Sequence, residues 1–558
     1  MAKKYAMGID FGSLSARALA VDVQTGEEVG SACLDYAHGV MDRALPQGPG
    51  LPPDWALQHP QDYLTCLAQV IPGALKAAGI EAEDIVGVGL DFTACTMLPL
   101  DRAGDPLCFD PAYAHNPHAY VKLWKHHAAQ SQADRLNAVA QARGEAFLSR
   151  YGGKVSSEWM IPKIWQILEE DPALYQAAHR FMEAGDWIVL RLTGQERRSA
   201  GLAGYKALWD KAQGYPSPDF FGALDPRLAH VVEDKLRGPV CPLGARAGEI
   251  TPAAARLTGL KPGTPVAVCN VDAHVSMPTA GPAEPGDLLM VMGTSVCHIA
   301  LSRERVEVPG MSGRVEDGVI PGWMGYEANQ VMGDHYNWLV DSLFPQDYAR
   351  QAQARGMDAH ALLSEKAQAL LPGQSGLLAL DWWNGNRSVL VDGQLSGLML
   401  GMTLKTRPEE MYRALIEATA FGSRVIHETF EKSGIPIVRL AACGGIAQKN
   451  PLVMQIYADV LNREIGVVRS AQAPALGSAM HGAVAAGKAG GGYDHIGQAA
   501  AAMGGLLPVI YRPDPQRSHI YSQLYQEYLL LHDYFGRGAN PVMKRLKAIQ
   551  RQVHPQDP

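Results

Sequence analysis

Two rhythms of apolar residues alternate along this chain. Short runs of apolar and β-branched residues end in glycine-, serine- or aspartate-rich turns, the pattern of strands. Between them lie stretches with apolar residues three or four apart, the pattern of amphipathic helices. Residues 5–23, YAMGIDFGSLSARALAVDV, place two such runs around Phe11-Gly12-Ser13-Leu14-Ser15 and predict a hairpin. A turn at 24–27 leads into a third strand over Glu28–Asp35, and Pro60–Ala78 reads as an amphipathic helix. Residues 85–98, IVGVGLDFTACTML, read as a buried strand and a polar turn carrying Asp91, Thr93, Cys95 and Thr96. α/β sheets place ligands at such strand ends.

Residues 149–170 predict a glycine turn and a helix with Trp159, Ile164, Trp165 and Leu168 on its apolar face, and residues 185–187 open another helix. In GLAGYKALW, 201–209, Lys206 sits among small and aromatic residues. Its stem can pack on the rings at the surface, or its ammonium can point into a cleft and donate to hydroxyls. Residues 265–281, PVAVCNVDAHVSMPTAG, run from a strand to Asp272 and on into small residues able to start a helix. Asp272 can act there as a helix cap or as a base toward a substrate hydroxyl.

The prolines and glycines of GPAEPGDL, 281–288, mark a domain boundary. Directly beyond, LLMVMGTSVCHIAL repeats strand, Gly293-Thr294-Ser295 turn, strand. Two hairpins of one layout, each leading half of the chain, point to an internal duplication with two turns facing a shared cleft. Residues 319–339 predict a helix with Glu327, Asn329 and Gln330 near its N-terminus. Residues 397–417 read as strand, turn and helix, and 440–461 as strand, Gly444-Gly445 and helix. Paired glycines let a flat ligand lie against the backbone. Tyr521, Tyr525, Tyr528 and His532 stripe a late helix toward the core. The tail with Lys544, Arg545, Lys547 and Arg551 reads as a solvated basic end.

Composition narrows the function. A chain of 558 residues holds two or more domains, and a net charge of −8 argues against a nucleic-acid partner. The start runs straight into a strand, unlike a signal peptide. The longest apolar run, 288–301, is too short to cross a bilayer and contains His298. The eight cysteines form no CxxC pair and read as reduced residues of a cytoplasmic protein. Two phosphate-binding lookalikes fail. Phe92 stands where GxGxxG needs its third glycine after Gly87 and Gly89, and GAVAAGK, 482–488, lacks both the following hydroxyl and a preceding strand. The turn at Gly12 and Ser13 can cradle phosphate oxygens with its amides, and Asp10 beside it can hold Mg2+ through waters. An ordinary hairpin turn accounts for the same residues.

Asp10-Phe11-Gly12-Ser13, Asp272 at a strand end, Gly293-Thr294-Ser295 and Gly444-Gly445 stand in the order these motifs have in the FGGY carbohydrate kinases. Residues 397–417, with Gly401, Glu410 and Glu417, closely resemble that family's C-terminal signature, and 149–164 resemble the N-terminal one less closely. DFTACT at 91, SSEW at 156, KALW at 206, GYEA at 325, DWWNG at 381 and GGIA at 444 resemble the members that act on ribulose. The resemblance is collinear from about residue 5 to about residue 534.

The resemblance implies an α/β, two-lobed, actin-like (ribonuclease H-like) ATPase fold with a central cleft. Residues 1–280 would form a sugar-binding lobe with the catalytic base, 281–288 a hinge, 289–536 an ATP-binding lobe and 537–558 a basic tail. It implies ATP-dependent phosphorylation of a ketopentose, foremost L-ribulose in arabinose catabolism. By matching position Asp272 would be the base and Asp10 would sit near Mg2+. Gly12, Ser13, Gly293 and Thr294 would line the ATP phosphates, and Gly444 and Gly445 the adenosine. Ala94, through its backbone, Lys206 and Glu327 would join Asp272 in holding the sugar. Xylulose, D-ribulose, ribitol and glycerol stay open as acceptors, as does a nucleotide clamp that phosphorylates nothing. ATP, Mg2+ and a ketopentose are the implied ligands, with no membrane or nucleic acid, and a homodimer is the family expectation.

Overall fold

Two seven-stranded sheets frame the computed structural model, which describes residues 3–46 and 48–553. The first contains β1 (Tyr5–Phe11), β2 (Ser15–Asp22), β3 (Glu28–Asp35), β4 (Ile85–Phe92), β5 (Arg246–Glu249), β6 (Pro265–Ala267) and β7 (Asn270–Val271). β1, β2 and β3 are antiparallel; β4 is parallel to β1, β6 and β7 are parallel to β4, and β5 is antiparallel to β6. The second contains β8 (Asp287–Met292), β9 (Ser295–Ser302), β10 (Gly313–Glu316), β11 (Met324–Val331), β12 (Arg439–Cys443), β13 (Ile465–Val468) and β14 (Leu506–Tyr511). Here β8, β9 and β11 are antiparallel, β12 is parallel to β8, β13 is parallel to β12, and β14 is antiparallel to β13. The two sheets share one strand plan, so the duplication read from the two turns extends to their topology. β4 is buried along its whole length, which is why its sequence is a continuous apolar run rather than an alternation.

Helix α1 (Pro60–Ala78) covers β2 and β3 with Tyr63, Leu67, Val70 and Ile71, and ends at Gly79 in a left-handed cap. Residues between β4 and β5 form a separate body around Trp159, Trp165, Phe220 and Phe221. That body carries α2 (Ala200–Lys206), which delivers Lys206 to the cleft. Between strands of the second sheet lie α3 (Gly333–Leu343), α4 (Pro408–Lys432), α5 (Gly445–Lys449) and α6 (Ala473–Ala486), and after its last strand come α7 (Pro515–Gly536) and α8 (Val542–Val553).

Helix α6 belongs to the second half of the chain but lies on β1 and β4 of the first sheet. A Cβ at Gly87 or Gly89 would stand 2.1 Å or 1.9 Å from the carbonyl oxygens of Gly482 and Ser478. Those glycines therefore admit a helix backbone, which accounts for the failed dinucleotide motif. Ala479, Met480 and Ala483 of α6 join Leu19 and Val21 of the first sheet and Leu289 and Ile299 of the second in one core. The halves are thus coupled by shared packing as well as by the chain at 281–288.

Three local expectations change. Glu327, Asn329 and Gln330 lie on strand β11, not in a helix; Glu327 pairs with Ile299 on one side and Gly313 on the other. Strands on both sides satisfy the β11 backbone, and distant side chains satisfy its polar groups, so the usual alternation is hidden. Asp272 caps no helix. The 3-10 turn His274–Ala280 is preceded by Ala273, and no side chain caps it. The tail is no free end: α8 buries Met543, Lys544 pairs with Asp392, and Lys547 donates to the carbonyls of Gly393 and Leu395. The Arg551 side chain lies outside the described residues. Tyr521, Tyr525, Tyr528 and His532 of α7 are buried as expected, and α6 is helical through Ala486, ending at Gly487 inside the GAVAAGK segment. All eight cysteines are free thiols. Among the described residues no helix is long and apolar enough to cross a membrane.

Candidate active site

The ends of β1, β4 and β7 gather three carboxylates. Asp10 stands opposite Asp91 across the parallel β1–β4 pair, and the Asp272 N–H donates to the Phe92 carbonyl at 3.1 Å. Asp91 is fully buried, and Ser478 of α6 donates to its Oδ2 at 2.6 Å. Burial pushes the Asp91 carboxyl well above the ordinary range, and the charge of Asp10 pushes it further. Burial also raises Asp10, opposed by Asp91 and Arg17. Asp91 Oδ1 has no hydrogen-bond partner among the described residues. A proton belongs on Asp91, which solvent does not reach; Asp10, half-buried at the cleft, keeps the charge.

Asp272 is half-buried, and its Oδ1 accepts the Ala273 N–H at 2.8 Å. Burial raises its pKa to about 7; Asp10 and Glu327 push the same way, while the Ala273 amide and Lys206 oppose. A carboxylate near neutrality is a stronger proton acceptor than an ordinary Asp and is still largely ionised at pH 7.5 to 8.

In the cleft, Lys206 Nζ lies 3.3 Å from Glu327 Oε1 and 5.3 Å from the centre of the Trp159 ring. Of the two placements open for Lys206, the structure shows the one in the cleft. Burial pushes the ammonium down, but Glu327 more than offsets it and leaves Lys206 above its ordinary value. Burial likewise acts to raise Glu327, yet Lys206 and then His274 hold it well below the carboxylate range. Asn329 Nδ2 donates to Glu327 Oε1, and His274 Nε2 stands 3.3 Å from Oε2, an ion-pair distance without hydrogen-bond alignment. His274 is completely buried with its ring 4.2 Å from that of Tyr205. Sequence reasoning missed His274, although it stands two residues beyond Asp272. Ala94 sits in the turn after β4, which is closed by a Thr93–Thr96 hydroxyl pair at 2.8 Å and held by Lys163 donating to the Cys95 carbonyl at 2.6 Å.

A cavity of about 760 Å³ opens on this side, with Lys206, Trp159, Asn329 and Arg387 on its wall. Asp272, Ala94 and Glu327 are not on that wall. A second cavity of about 620 Å³ lies between α3 and α5, with Gly293, Thr294, Tyr336, Gly445 and Lys449 on its wall. Each glycine turn is closed by the glycine amide, Gly12 N–H donating to the Ser15 carbonyl at 3.0 Å and Gly293 N–H to the Ser295 carbonyl at 2.8 Å. A Cβ at Gly12 or Gly293 would meet no protein atom nearer than 3.4 Å or 3.8 Å. Packing does not demand these glycines, so the space they leave is available to a ligand. Among the described residues, the amides of Ser13 and Thr294 donate to no protein acceptor, the condition for a phosphate cradle. Gly445 is open in the same sense. Gly444 has φ +95°, and its Cβ would stand 2.4 Å from the Met292 carbonyl oxygen; it serves the backbone crossing and is not on the cavity wall.

Among the described residues no cluster of three or more His, Cys, Asp or Glu side chains could cage a metal. Asp10 could hold Mg2+ through its one carboxylate and waters beside the first turn.

The comparisons with known proteins give the family and the fold. Residues 5–277 match the family profile described as FGGY family of carbohydrate kinases, N-terminal domain, and residues 288–486 match the C-terminal domain of that family. A ribulokinase from Geobacillus thermodenitrificans is 56% identical over 549 residues, 98% of this chain and 97% of its own. A ribulokinase from Halalkalibacterium halodurans is 54% identical over 556 residues, 99% of both chains. The crystal structure of a xylulose kinase from Rhodospirillum rubrum superposes with a TM-score of 0.77 at 24% identity, covering 95% of this chain and 98% of that one, which shows a common fold.

Proposed function

The chain belongs to the FGGY family of carbohydrate kinases, and on that premise we propose that it transfers the γ-phosphoryl group of ATP to a hydroxyl of ribulose, foremost L-ribulose. The observation that carries the reading is the position of Asp272. It lies within electrostatic reach of Asp10 on the phosphate side and of Glu327 and Lys206 on the sugar side.

Phosphoryl transfer needs alignment and charge neutralisation more than covalent help. Lys206 and Glu327 hold each other in place and offer donors and acceptors to neighbouring sugar hydroxyls. Asn329 and His274 fix the Glu327 carboxylate. The Ala94 backbone would complete the sugar contacts. The amides at Gly12, Ser13, Gly293 and Thr294 would receive the phosphates, and Gly445, Tyr336 and Lys449 would line the adenosine cavity. Asp10 would hold Mg2+, which supplies neutralisation of phosphate charge when bound. Asp272 accepts the hydroxyl proton as the bond to phosphorus forms. The reading is tested by phosphorus NMR of a reaction with ATP and L-ribulose. One sugar phosphate ester per ADP supports it; ADP with inorganic phosphate and no ester refutes it.

A further inference from the structure

Neutral turn amides bind phosphate oxygens but do not balance the charge of a γ-phosphoryl group in flight, and this chain has no P-loop lysine. Lys206, the cation assigned above to the sugar, is already matched by Glu327. A second cation stands at the junction of the two ligand regions. Arg387 Nη1 donates to Ser295 Oγ at 3.5 Å, directly after the Gly293-Thr294 turn, and the same side chain lies on the wall of the sugar-side cavity with Lys206 and Asn329. Arg387 is half-buried and pairs with no carboxylate among the described residues. Cys297 on β9 marks the spot electrostatically. Burial pushes its thiol up, Glu327 and Asp272 add to that, and Lys206 and Arg387 oppose it, so all four groups lie within electrostatic range of this one side chain.

The loop that carries Arg387 is braced. Asn386 and Asp392 exchange backbone hydrogen bonds at 3.0 and 2.8 Å, and Asn386 Oδ1 accepts the Leu390 N–H at 2.9 Å. Ser388 Oγ accepts the Asn329 N–H at 3.1 Å and meets Ser312 Oγ at 3.3 Å. Lys544 of α8 pairs with Asp392 from outside. The arginine is held at the cleft by its neighbours and by the C-terminal helix, not by a partner charge of its own.

We propose that Arg387 is a catalytic residue that binds the transferred phosphoryl group and the phosphate end of the product. This rests on the kinase reading above. In the step, the bond from the γ-phosphorus to the ADP oxygen breaks and ADP keeps the electron pair. A bond forms from phosphorus to the sugar hydroxyl oxygen, and the hydroxyl proton goes to Asp272. Arg387 forms no covalent bond; its planar fork of donors matches the phosphoryl oxygens that neither attack nor leave.

The test compares wild type, Arg387→Gln and Arg387→Lys in ADP release with L-ribulose, and in calorimetric binding of L-ribulose and L-ribulose 5-phosphate without nucleotide. The expected result for Arg387→Gln is a kcat lower by about 10²–10³-fold, the scale of losing one preorganised charge donor. Affinity for the phosphate ester should fall at least about tenfold while affinity for free ribulose stays within about threefold. Arg387→Lys should recover part of kcat and remain at least about fivefold below wild type, because an ammonium lacks the bidentate fork. If Arg387→Gln does not fold, Arg387→Lys decides alone: kcat lowered with unchanged ribulose affinity supports the role, and wild-type kcat overturns it. Equal losses of affinity for ribulose and its phosphate ester also overturn it. A wild-type enzyme without sugar-dependent ADP release overturns the kinase reading and this inference together; an active wild type with unaffected variants overturns the inference alone.

Discussion

Replacing Asp272 by Asn should separate catalysis from stability in opposite directions. The substitution keeps shape, and its Oδ1 can still accept the Ala273 N–H, but it removes the proton acceptor. Loss of a general base typically lowers the rate by about 10²–10⁴-fold, so kcat should fall by that factor while nucleotide affinity, measured by calorimetry, stays near wild type. The wild-type kcat/KM should decline below a pKa of about 7 as Asp272 takes up a proton, and the residual activity of Asp272→Asn should lack that limb. Stability follows from the same shift. The folded carboxyl binds its proton more tightly than the unfolded one, whose ordinary value is 3.8. Between those values the folded state holds more protons, so raising pH through the window destabilises the wild type. Each pKa unit is worth ~1.4 kcal/mol, an upper limit of ~4 kcal/mol. Solvent screening of a half-buried group reduces this to about 1–2 kcal/mol. Asn carries no charge in either state, so Asp272→Asn should melt higher than wild type at pH 8, with the gap closing toward pH 5. The reasoning fails if kcat stays within about threefold of wild type. It also fails if the variant is less stable at pH 8.

Glu327→Ala strands the buried Lys206 ammonium, and Lys206→Ala strands the carboxylate; unpaired buried groups cost about 1–3 kcal/mol each. Each should raise KM for ribulose about 10–100-fold with KM for ATP little changed, and steady-state kinetics with both substrates varied would check this. Equal effects on both KM values would place the pair outside the sugar site. Ribulose with a non-hydrolysable nucleotide should close the halves about residues 281–288, because the larger cavity has Lys206 and Trp159 of the first half and Asn329 and Arg387 of the second on its wall, and transfer must exclude water. Small-angle scattering should then show a smaller radius of gyration than for the free protein, and an identical value would count against closure.

The frame of the fold was legible because its signals are local. The turns at Gly12 and Gly293 are each enclosed by strand-like runs, and the helix after Arg407 is long and periodic. What the sequence hid depends on partners distant along the chain. Gly87 and Gly89 look like a nucleotide motif until α6, nearly four hundred residues later, is seen lying on them. Glu327 reads as part of an acidic helix start, because nothing local shows that Lys206 and His274 satisfy it on an interior strand. Among the site residues, Asp10, Asp272 and the open glycines announce themselves at strand ends. Gly444 and Gly445 look alike in sequence, yet one serves backbone crossing and the other faces a cavity. Arg387 sits in an irregular loop whose shape comes from Asn386, Ser388 and α8, so no periodicity points to it.

If this cleft phosphorylates ribulose, it selects the sugar by its hydroxyls. The most direct measurement is kcat/KM from coupled ADP release with L-ribulose, D-ribulose, ribitol, xylulose and glycerol, against a control with no acceptor. Release should be negligible without sugar, and the value for L-ribulose should lie at least about tenfold above those for xylulose and glycerol, since each unmatched buried polar group costs about 1–3 kcal/mol. ADP release that ignores the sugar would make the protein a nucleotide clamp. A preference for xylulose or glycerol would contradict the assignment of Lys206 and Glu327 to the sugar site.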